Sequence, residues 1–172
     1  WAVDQTFSDV PSWHKAVDRV ICCPPRRKGI DLLRSLLNGK FLKFSKQIKE
    51  RQYDLVIDLQ GDYKGAITAS LADGDRSGYD AQSVREWGAH FAYRNKFFVA
   101  RGQHSISRMR QLMAQALSYP YPESCPSYGI DRSRLPKVIL PLSSPTLVFI
   151  HSTSWESKCW PEFCWRKLTE LS

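Results

Sequence analysis

Apolar runs that predict buried strands alternate along this chain with patterns that predict helices. The clearest run, residues 53–59, stops at Gln60-Gly61, and a helical pattern follows it. The predicted strands are 17–23, 53–59, 97–100 and 146–151, and the predicted helices are 30–51, 63–71, 82–93, 105–117 and one from Pro161. A turn-rich stretch at 73–75 is predicted to lead through a short strand to the helix at 82–93. Because strands that alternate with helices build parallel, doubly wound sheets, the predicted fold class is α/β.

Six of the ten prolines lie between Tyr119 and Thr146, where the periodicity fades. Proline-rich segments without periodic patterning are typical of linkers. We therefore expect three parts, which are an α/β domain over 1–118, a linker over 119–145 and the start of a second α/β domain over 146–172. Because the chain opens on Trp1 and stops inside a helical pattern, we also expect it to be cut at both ends.

The apolar runs and the cysteines argue against several classes of protein. The longest apolar run, 138–151, is broken by Pro141 and Pro145 and is shorter than the roughly eighteen residues of a membrane-spanning helix. The five cysteines are an odd number without a repeated Cys-x-x-Cys spacing, which argues against a disulfide framework or a zinc site. We expect a reducing, cytoplasmic protein with no metal and no cofactor.

Much of the net charge of +8 falls in one segment, residues 26–51, where nine basic residues and two acidic ones give a local charge of +7. A basic patch attracts polyanions such as nucleic acid, an anionic membrane surface or a phosphorylated glycolipid. It is equally typical of a solvated helix face. The charge alone leaves these alternatives open.

Two segments in the first part of the chain carry residues that could bind an anion. Gln60, Gly61 and Lys64 follow a predicted central strand, where ligands of open α/β sheets collect and a helix N-terminus favours anions. A tight turn explains Gly61 equally well. His104 and Arg108 are one helical turn apart and could share one phosphate or carboxylate, or they could form an exposed polar face.

A third segment, residues 151–161, reads His-Ser-Thr-Ser-Trp-Glu-Ser-Lys-Cys-Trp-Pro. Its hydroxyls, loop amides, Lys158 and helix start suit a nucleotide diphosphate. It lacks the glycines of a P-loop. His151 with Cys159 and Cys164 does not match a common zinc spacing.

Four groups of short motifs follow one another along the chain. They are Pro11-Ser12-Trp13-His14-Lys15-Ala16-Val17-Asp18-Arg19-Val20-Ile21; Tyr53-Asp54-Leu55-Val56-Ile57-Asp58-Leu59-Gln60-Gly61 with Lys64; Gln103-His104 with Arg108; and His151-Ser152-Thr153-Ser154 through Lys158, Trp160-Pro161 and Trp165. In this order they resemble the family 9 glycosyltransferases, and within that family the heptosyltransferase I group of lipopolysaccharide synthesis. The resemblance extends over the whole chain.

The resemblance implies a GT-B architecture, in which two Rossmann-like domains face each other across a cleft. This chain would hold most of the N-terminal domain, without its first strand, and the start of the second domain. Such enzymes transfer heptose from ADP-heptose to Kdo of the lipid A-linked inner core, with inversion at the anomeric carbon. The implied acceptor-binding residues are Arg26, Arg27, Lys28, Gln60, Gly61, Lys64, Arg85, His104 and Arg108, and the implied donor phosphate-binding residues are Thr153, Ser154 and Lys158.

The resemblance also implies what the chain would lack. The family's catalytic aspartate would lie upstream of Trp1 and a donor-binding Asp-Thr-Gly-x-x-His segment beyond Ser172, so we expect the chain alone to be inactive. The expected partners are ADP-heptose, a Kdo-lipid A acceptor and the cytoplasmic face of the bacterial inner membrane, with no nucleic acid. The oligomeric state stays open.

Two alternative activities remain at this point, besides a degenerate gene product with no present role. One is heptosyltransferase II or another family 9 core-sugar transferase. The other is a basic nucleic-acid-binding module, which would need more aromatic residues among its lysines than Phe41 and Phe44 to stack on bases.

Overall fold

The computed structural model describes residues 1–24, 39–137, 146–150, 153 and 156–171. The strands are β1 (Ala2–Asp4), β2 (Ile21–Cys23), β3 (Gln52–Ile57), β4 (Asp73–Tyr79) and β5 (Asn95–Phe97). The helices are α1 (Asp9–Ser12), α2 (Lys40–Lys49), α3 (Tyr63–Leu71), α4 (Ser105–Ala116) and α5 (Glu162–Glu170). Short 3-10 helices cover Gln5–Phe7, Ala89–Ala92, Arg132–Arg134 and Glu156–Lys158.

The described strands form two parallel sheets. β1 pairs with β2, with Ala2 opposite Ile21. β3, β4 and β5 form the second sheet in that order, with Tyr79 opposite Phe97. Parallel neighbours need a crossover connection, which α3 supplies between β3 and β4. Parallel strands joined through helices confirm the predicted α/β class.

Two hydrophobic clusters hold these elements together. The larger cluster packs the second sheet against α3 and α4 and includes Tyr79, Val84, Tyr93, Val99 and Leu112. Val84 and Leu112 are fully buried, and the burial of such side chains contributes roughly 1.5–3 kcal/mol each. The second sheet is therefore supported by a well-packed core.

The second cluster places α2 against β2. Phe44 and Ile48, one helical turn apart, are buried together with Ile21 and Cys23. Several lysines of this helix are exposed, namely Lys43, Lys46 and Lys49. α2 is therefore amphipathic, with one apolar face and one basic face. The predicted helix over 30–51 is confirmed only from Lys40 onward, because residues 25–38 lie outside the described part of the chain.

The predicted helix over 82–93 is wrong, because this segment forms turns and the 3-10 helix Ala89–Ala92. The Asp80 carboxylate accepts hydrogen bonds from the backbone N–H groups of Gln82 (3.1 Å) and Ser83 (2.9 Å). Such a side-chain acceptor competes with helix formation and favours a turn.

The turn predicted at 73–75 is also wrong, because β4 begins at Asp73. A Cβ atom at Gly74 would collide with the Tyr53 carbonyl on β3, so this glycine marks a close approach of two strands. The strand predicted at 146–151 is likewise not seen in its described part, 146–150. A strand needs a neighbouring backbone to pair with, and these five residues pair with no described strand.

The chain divides into two compact units, Trp1–Leu135 and Pro136–Ser172. The first unit contains both sheets, and the second contains α5. The linker predicted over 119–145 stays a prediction. No helix among the described residues is both long enough and apolar enough to cross a membrane.

Candidate functional site

Several of the predicted binding residues that the structure describes in the first unit lie where the strands of the second sheet end. Gln60 and Gly61 follow β3, Arg85 lies in the loop after β4, and His104 caps α4 beyond β5. Because the strands are parallel, their carboxyl ends meet at one edge of the sheet. The parallel arrangement of β3, β4 and β5 therefore places these residues along a common edge.

The turn at Gly61 connects two of these loops directly. Its φ of +64° lies in the left-handed region, which glycine adopts without strain. The Gly61 carbonyl accepts hydrogen bonds from the backbone N–H groups of Arg85 and Glu86, both at 3.0 Å. The loop after β3 thereby fixes the backbone that carries Arg85.

A buried carboxylate below this turn is absent from the sequence-based site. Asp58 is 6% exposed, and its Oδ1 accepts hydrogen bonds from the N–H groups of Gln60 (2.8 Å) and Gly61 (3.2 Å). The hydroxyl of Tyr93 donates to its Oδ2 at 2.5 Å. Burial raises the pKa of Asp58 above the ordinary value, although the three hydrogen bonds oppose that rise. Burial and the neighbouring Asp58 carboxylate also raise the pKa of Tyr93.

The N-terminus of α3 is occupied by the protein's own carboxylates. Asp62 accepts a hydrogen bond from the Gly65 N–H at 2.8 Å, and Glu86 accepts one from the Tyr63 N–H at 2.7 Å. These two amides are therefore not available to bind an anion, contrary to the expectation for this helix end. An anionic ligand at this edge would therefore pair with arginine and lysine side chains rather than with these two amides.

Lys64 is partly buried and forms an ion pair. Its Nζ lies 3.0 Å from Asp4 Oδ2 on β1. Burial of Asp4 acts to raise the pKa of its carboxyl, but hydrogen bonds from Lys64 and the Thr6 N–H outweigh burial and lower it. A ligand that binds Lys64 must therefore compete with Asp4.

His104 and Arg108 share a helix but have different surroundings. His104 is exposed, and its Nδ1 accepts a hydrogen bond from the Ile106 N–H at 3.3 Å, which caps α4. The Arg108 guanidinium lies over the Tyr79 ring at 4.8 Å and donates to the Ser83 carbonyl at 2.6 Å. Arg108 therefore stabilises the loop after β4, whereas His104 caps α4.

Arg85 differs from the other arginines near this edge. Its side chain is exposed, and its guanidinium forms no hydrogen bond or ion pair with another described residue. Arg101, by contrast, donates to the Val84 carbonyl. Arg85 is thus the described arginine at this edge that is most available to a ligand.

In the second unit, the predicted phosphate-binding segment is described only in part. Lys158 is exposed and ends a 3-10 helix. The Cys159 thiol lies 3.8 Å from the Thr153 carbonyl as a weak donor. Trp165 packs edge-on against Trp160, with ring centroids 5.1 Å apart. These contacts connect residues 159 and 160 to Thr153 on one side and to α5 on the other.

Several predicted site residues lie outside the described residues. They are Arg26, Arg27 and Lys28 in the basic segment and Ser154 in the hydroxyl-rich loop.

The sequence and structure are similar to known proteins. The sequence model of glycosyltransferase family 9 (heptosyltransferase) matches residues 41–172. The chain is 45% identical over 171 residues to lipopolysaccharide heptosyltransferase 1 of Pseudomonas aeruginosa, covering 99% of this chain and 48% of that protein. It is 38% identical over 172 residues to lipopolysaccharide heptosyltransferase 1 of Salmonella typhimurium, covering 99% of this chain and 54% of that protein. The chain thus spans about half the length of the curated relatives it matches.

Two solved structures give the same picture. E. coli heptosyltransferase WaaC with ADP matches with a TM-score of 0.83 at 33% identity, covering 99% of this chain and 53% of that one. WaaC with ADP-2-deoxy-2-fluoro heptose matches with a TM-score of 0.84 at 33% identity, covering 99% and 54%. The likeness to WaaC, a GT-B glycosyltransferase, confirms the predicted fold class.

Proposed function

The chain belongs to glycosyltransferase family 9, the heptosyltransferases, and we propose that it forms part of an inverting enzyme that transfers heptose from ADP-heptose to Kdo of the lipid A-linked inner core. The observation that carries this proposal is the 45% identity to a lipopolysaccharide heptosyltransferase 1 along 99% of the chain. The WaaC structures with ADP and with ADP-2-deoxy-2-fluoro heptose support ADP-heptose as the donor. The same matches favour a transferase over a basic nucleic-acid-binding module.

The chemistry of the reaction supports the proposed donor residues. An inverting transfer needs a base for the proton of the acceptor hydroxyl, and it needs cations or amides for the charge on the departing diphosphate. Thr153, Ser154 and Lys158 are proposed to hold the donor phosphates, with the exposed Lys158 ammonium opposing the developing charge. No residue of this chain is proposed as the base.

The charges at the edge of the second sheet support the proposed acceptor residues. Kdo carries a carboxylate and lipid A carries phosphates, and guanidinium groups pair with both in a forked geometry. The exposed Arg85 is proposed as the central contact at this edge. The proposed supporting contacts are Gln60, Gly61, Lys64, His104 and Arg108, together with Arg26, Arg27 and Lys28 of the basic segment.

The acceptor is lipid-linked, so the enzyme must meet it at a membrane surface. We place it at the cytoplasmic face of the bacterial inner membrane by peripheral contact. The exposed lysines of α2 support this placement, since each basic residue near an anionic leaflet contributes about 1 kcal/mol to binding.

The test of the donor site uses steady-state kinetics on an active polypeptide that contains this chain. Lys158→Ala should lower kcat/KM for ADP-heptose by about 10²-fold, because one preorganised donor of this kind contributes roughly that much. Lys167→Ala, which removes another exposed lysine, on α5, is the matched control. Equal rates for the two variants would overturn the donor assignment.

The acceptor site is tested in the same assay. Arg85→Ala should raise the acceptor KM about 10-fold and leave the ADP-heptose KM nearly unchanged, because a charge-assisted forked contact is lost. Arg94→Ala is the control, since Arg94 is exposed and paired with Asp75. Acceptors with and without a first heptose separate the proposed activity from heptosyltransferase II, which would prefer the heptose-bearing one.

A further inference from the structure

The Asp58 carboxylate forms hydrogen bonds to two separate segments, the turn after β3 and Tyr93, next to the proposed acceptor site. Its Oδ1 holds the N–H groups of Gln60 and Gly61, and its Oδ2 takes the hydroxyl hydrogen of Tyr93. Both carboxylate oxygens are therefore engaged, and the side chain is 6% exposed. Asp58 cannot reach a substrate hydroxyl from this position, so its role is not that of a base.

Two glycines leave the space that this pair occupies. A Cβ atom at Gly65 on α3 would lie 2.7 Å from the Asp58 Cγ, and one at Gly78 on β4 would lie 2.5 Å from the Tyr93 ring. Glycine inside a helix costs about 1 kcal/mol relative to alanine, so Gly65 is unfavourable for α3 taken alone. The space it leaves for Asp58 accounts for its presence there.

The pair acts on Arg85 through the backbone. Asp58 fixes the left-handed turn at Gly61, and the Gly61 carbonyl then receives the N–H groups of Arg85 and Glu86 at 3.0 Å. Glu86 in turn accepts the Tyr63 N–H at 2.7 Å at the start of α3. One unbroken chain of hydrogen bonds therefore runs from the buried carboxylate to the exposed arginine.

We propose that Asp58 and Tyr93 are positioning residues for the acceptor, which set the backbone of the Gly61 turn and so hold Arg85 in its binding geometry. The inference takes the identity of the substrate from the proposed function, whereas its geometric part depends only on the hydrogen bonds described above. It predicts a selective effect on acceptor binding. A role in general stability alone would lower the amount of active protein and leave both KM values unchanged.

Three variants test the pair in an active polypeptide that contains the chain. Asp58→Ala removes the buried carboxylate. Gly65→Ala displaces the Asp58 carboxylate while it improves the helix propensity of α3. Both should raise the acceptor KM at least 10-fold and change the ADP-heptose KM less than 2-fold. Asp58→Asn should recover most of the acceptor affinity, because its amide keeps the Oδ1 acceptor and can donate to the Tyr93 oxygen.

Two control variants separate positioning from stability. Leu112→Ala opens the fully buried core and should lower the melting temperature without a selective rise in the acceptor KM. Asp54→Ala removes an exposed carboxylate from β3, the strand that directly precedes Asp58, and should change neither KM. A rise in acceptor KM for Leu112→Ala equal to that of Gly65→Ala would overturn the proposal.

Amide hydrogen exchange on the 172-residue chain tests the geometry without any substrate. Asp58→Ala should speed exchange at least 10-fold at the Gly61, Arg85 and Glu86 amides relative to those of α4. Unchanged exchange at these amides would overturn the positioning role whatever the enzyme's substrate. If exchange responds while Arg85→Ala leaves the acceptor KM unchanged, the acceptor site of the proposed function fails, and the role of the pair in acceptor binding fails with it.

Discussion

At the scale of single residues, the ion pair between Asp4 and Lys64 should make stability depend on pH. Hydrogen bonds from Lys64 and the Thr6 N–H outweigh the effect of burial and lower the pKa of Asp4. Since folding lowers this pKa, the stabilisation is present above the unfolded value of 3.8 and is lost as the pH falls through the folded value. Asp4→Asn should therefore lower the free energy of unfolding by less than about 1 kcal/mol at neutral pH, and by progressively less below pH 3.8.

Urea titrations at a series of pH values measure this effect. Lys64→Met removes the other half of the pair and should give a loss with the same pH dependence. The double variant should lose less than the sum of the two single losses, because the two residues share one interaction. A loss from Asp4→Asn that stays constant down to acid pH would contradict the role of the ion pair.

The sequence located some residues of the candidate site and missed others for a physical reason. Gln60 and Gly61 directly follow a predicted strand, so their placement at the carboxyl edge of the sheet follows from local patterns. Arg85 is implied by the family resemblance alone, and it lies in the segment wrongly predicted as a helix. Asp58 and Tyr93 are 35 positions apart, and their contact depends on how the sheet packs. The Asp-Leu-Gln-Gly sequence offers one signal, since a carboxylate at the end of a buried strand needs a partner.

At the scale of secondary structure, α3 depends on its N-terminal cap. Asp62 is 5% exposed, has an extended backbone and accepts the Gly65 N–H at 2.8 Å. Replacement of such a cap by alanine costs about 1–2 kcal/mol. Asp62→Ala should lower the free energy of unfolding by this amount in urea titrations followed by circular dichroism. Asp62→Asn keeps an acceptor oxygen and should lose clearly less, and equal losses for both variants would show that the cap does not stabilise α3.

The same helix shows where sequence patterns predict structure well. The predicted limits of 63–71 coincide with α3, because the cap and the apolar spacing are local signals. The segment 82–93 fails because a tertiary arrangement overrides its helical pattern. The Asp80 carboxylate accepts hydrogen bonds from two backbone N–H groups of this segment. The carbonyl of Gly61, in the loop after β3, accepts hydrogen bonds from two further N–H groups of the segment.

At the scale of the whole chain, the proline-rich segment is held against the first unit at its start. The Arg110 guanidinium donates to the carbonyls of Pro122 (3.1 Å) and Ser124 (2.9 Å) and lies 5.4 Å from the centre of the Tyr121 ring. Prolines predict an irregular path but do not predict which side chains will hold it. Composition therefore gave the location of this segment and not its attachment.

The segment is held again near residue 130. The Asp131 N–H donates to the Trp13 carbonyl at 2.8 Å, and His14 and Ile130 form an isolated antiparallel bridge. The Arg134 guanidinium donates to the Ser12 carbonyl at 3.1 Å. Contacts of this kind link residues about 120 positions apart, and no local sequence pattern can predict them.

These attachments make residues 119–135 part of the first folding unit in energetic terms. A shortened chain of residues 1–135 keeps every contact described for Arg110 and Arg134, whereas a chain of 1–118 loses them all. If two such hydrogen bonds contribute about 1 kcal/mol together, the shorter chain should melt about 4 °C or more below the longer one in calorimetry. Arg110→Lys in the 1–135 chain should produce part of this loss, because lysine lacks the planar fork that reaches two carbonyls. Equal melting temperatures for the two chains would instead favour a linker that begins at residue 119, as the prolines predict.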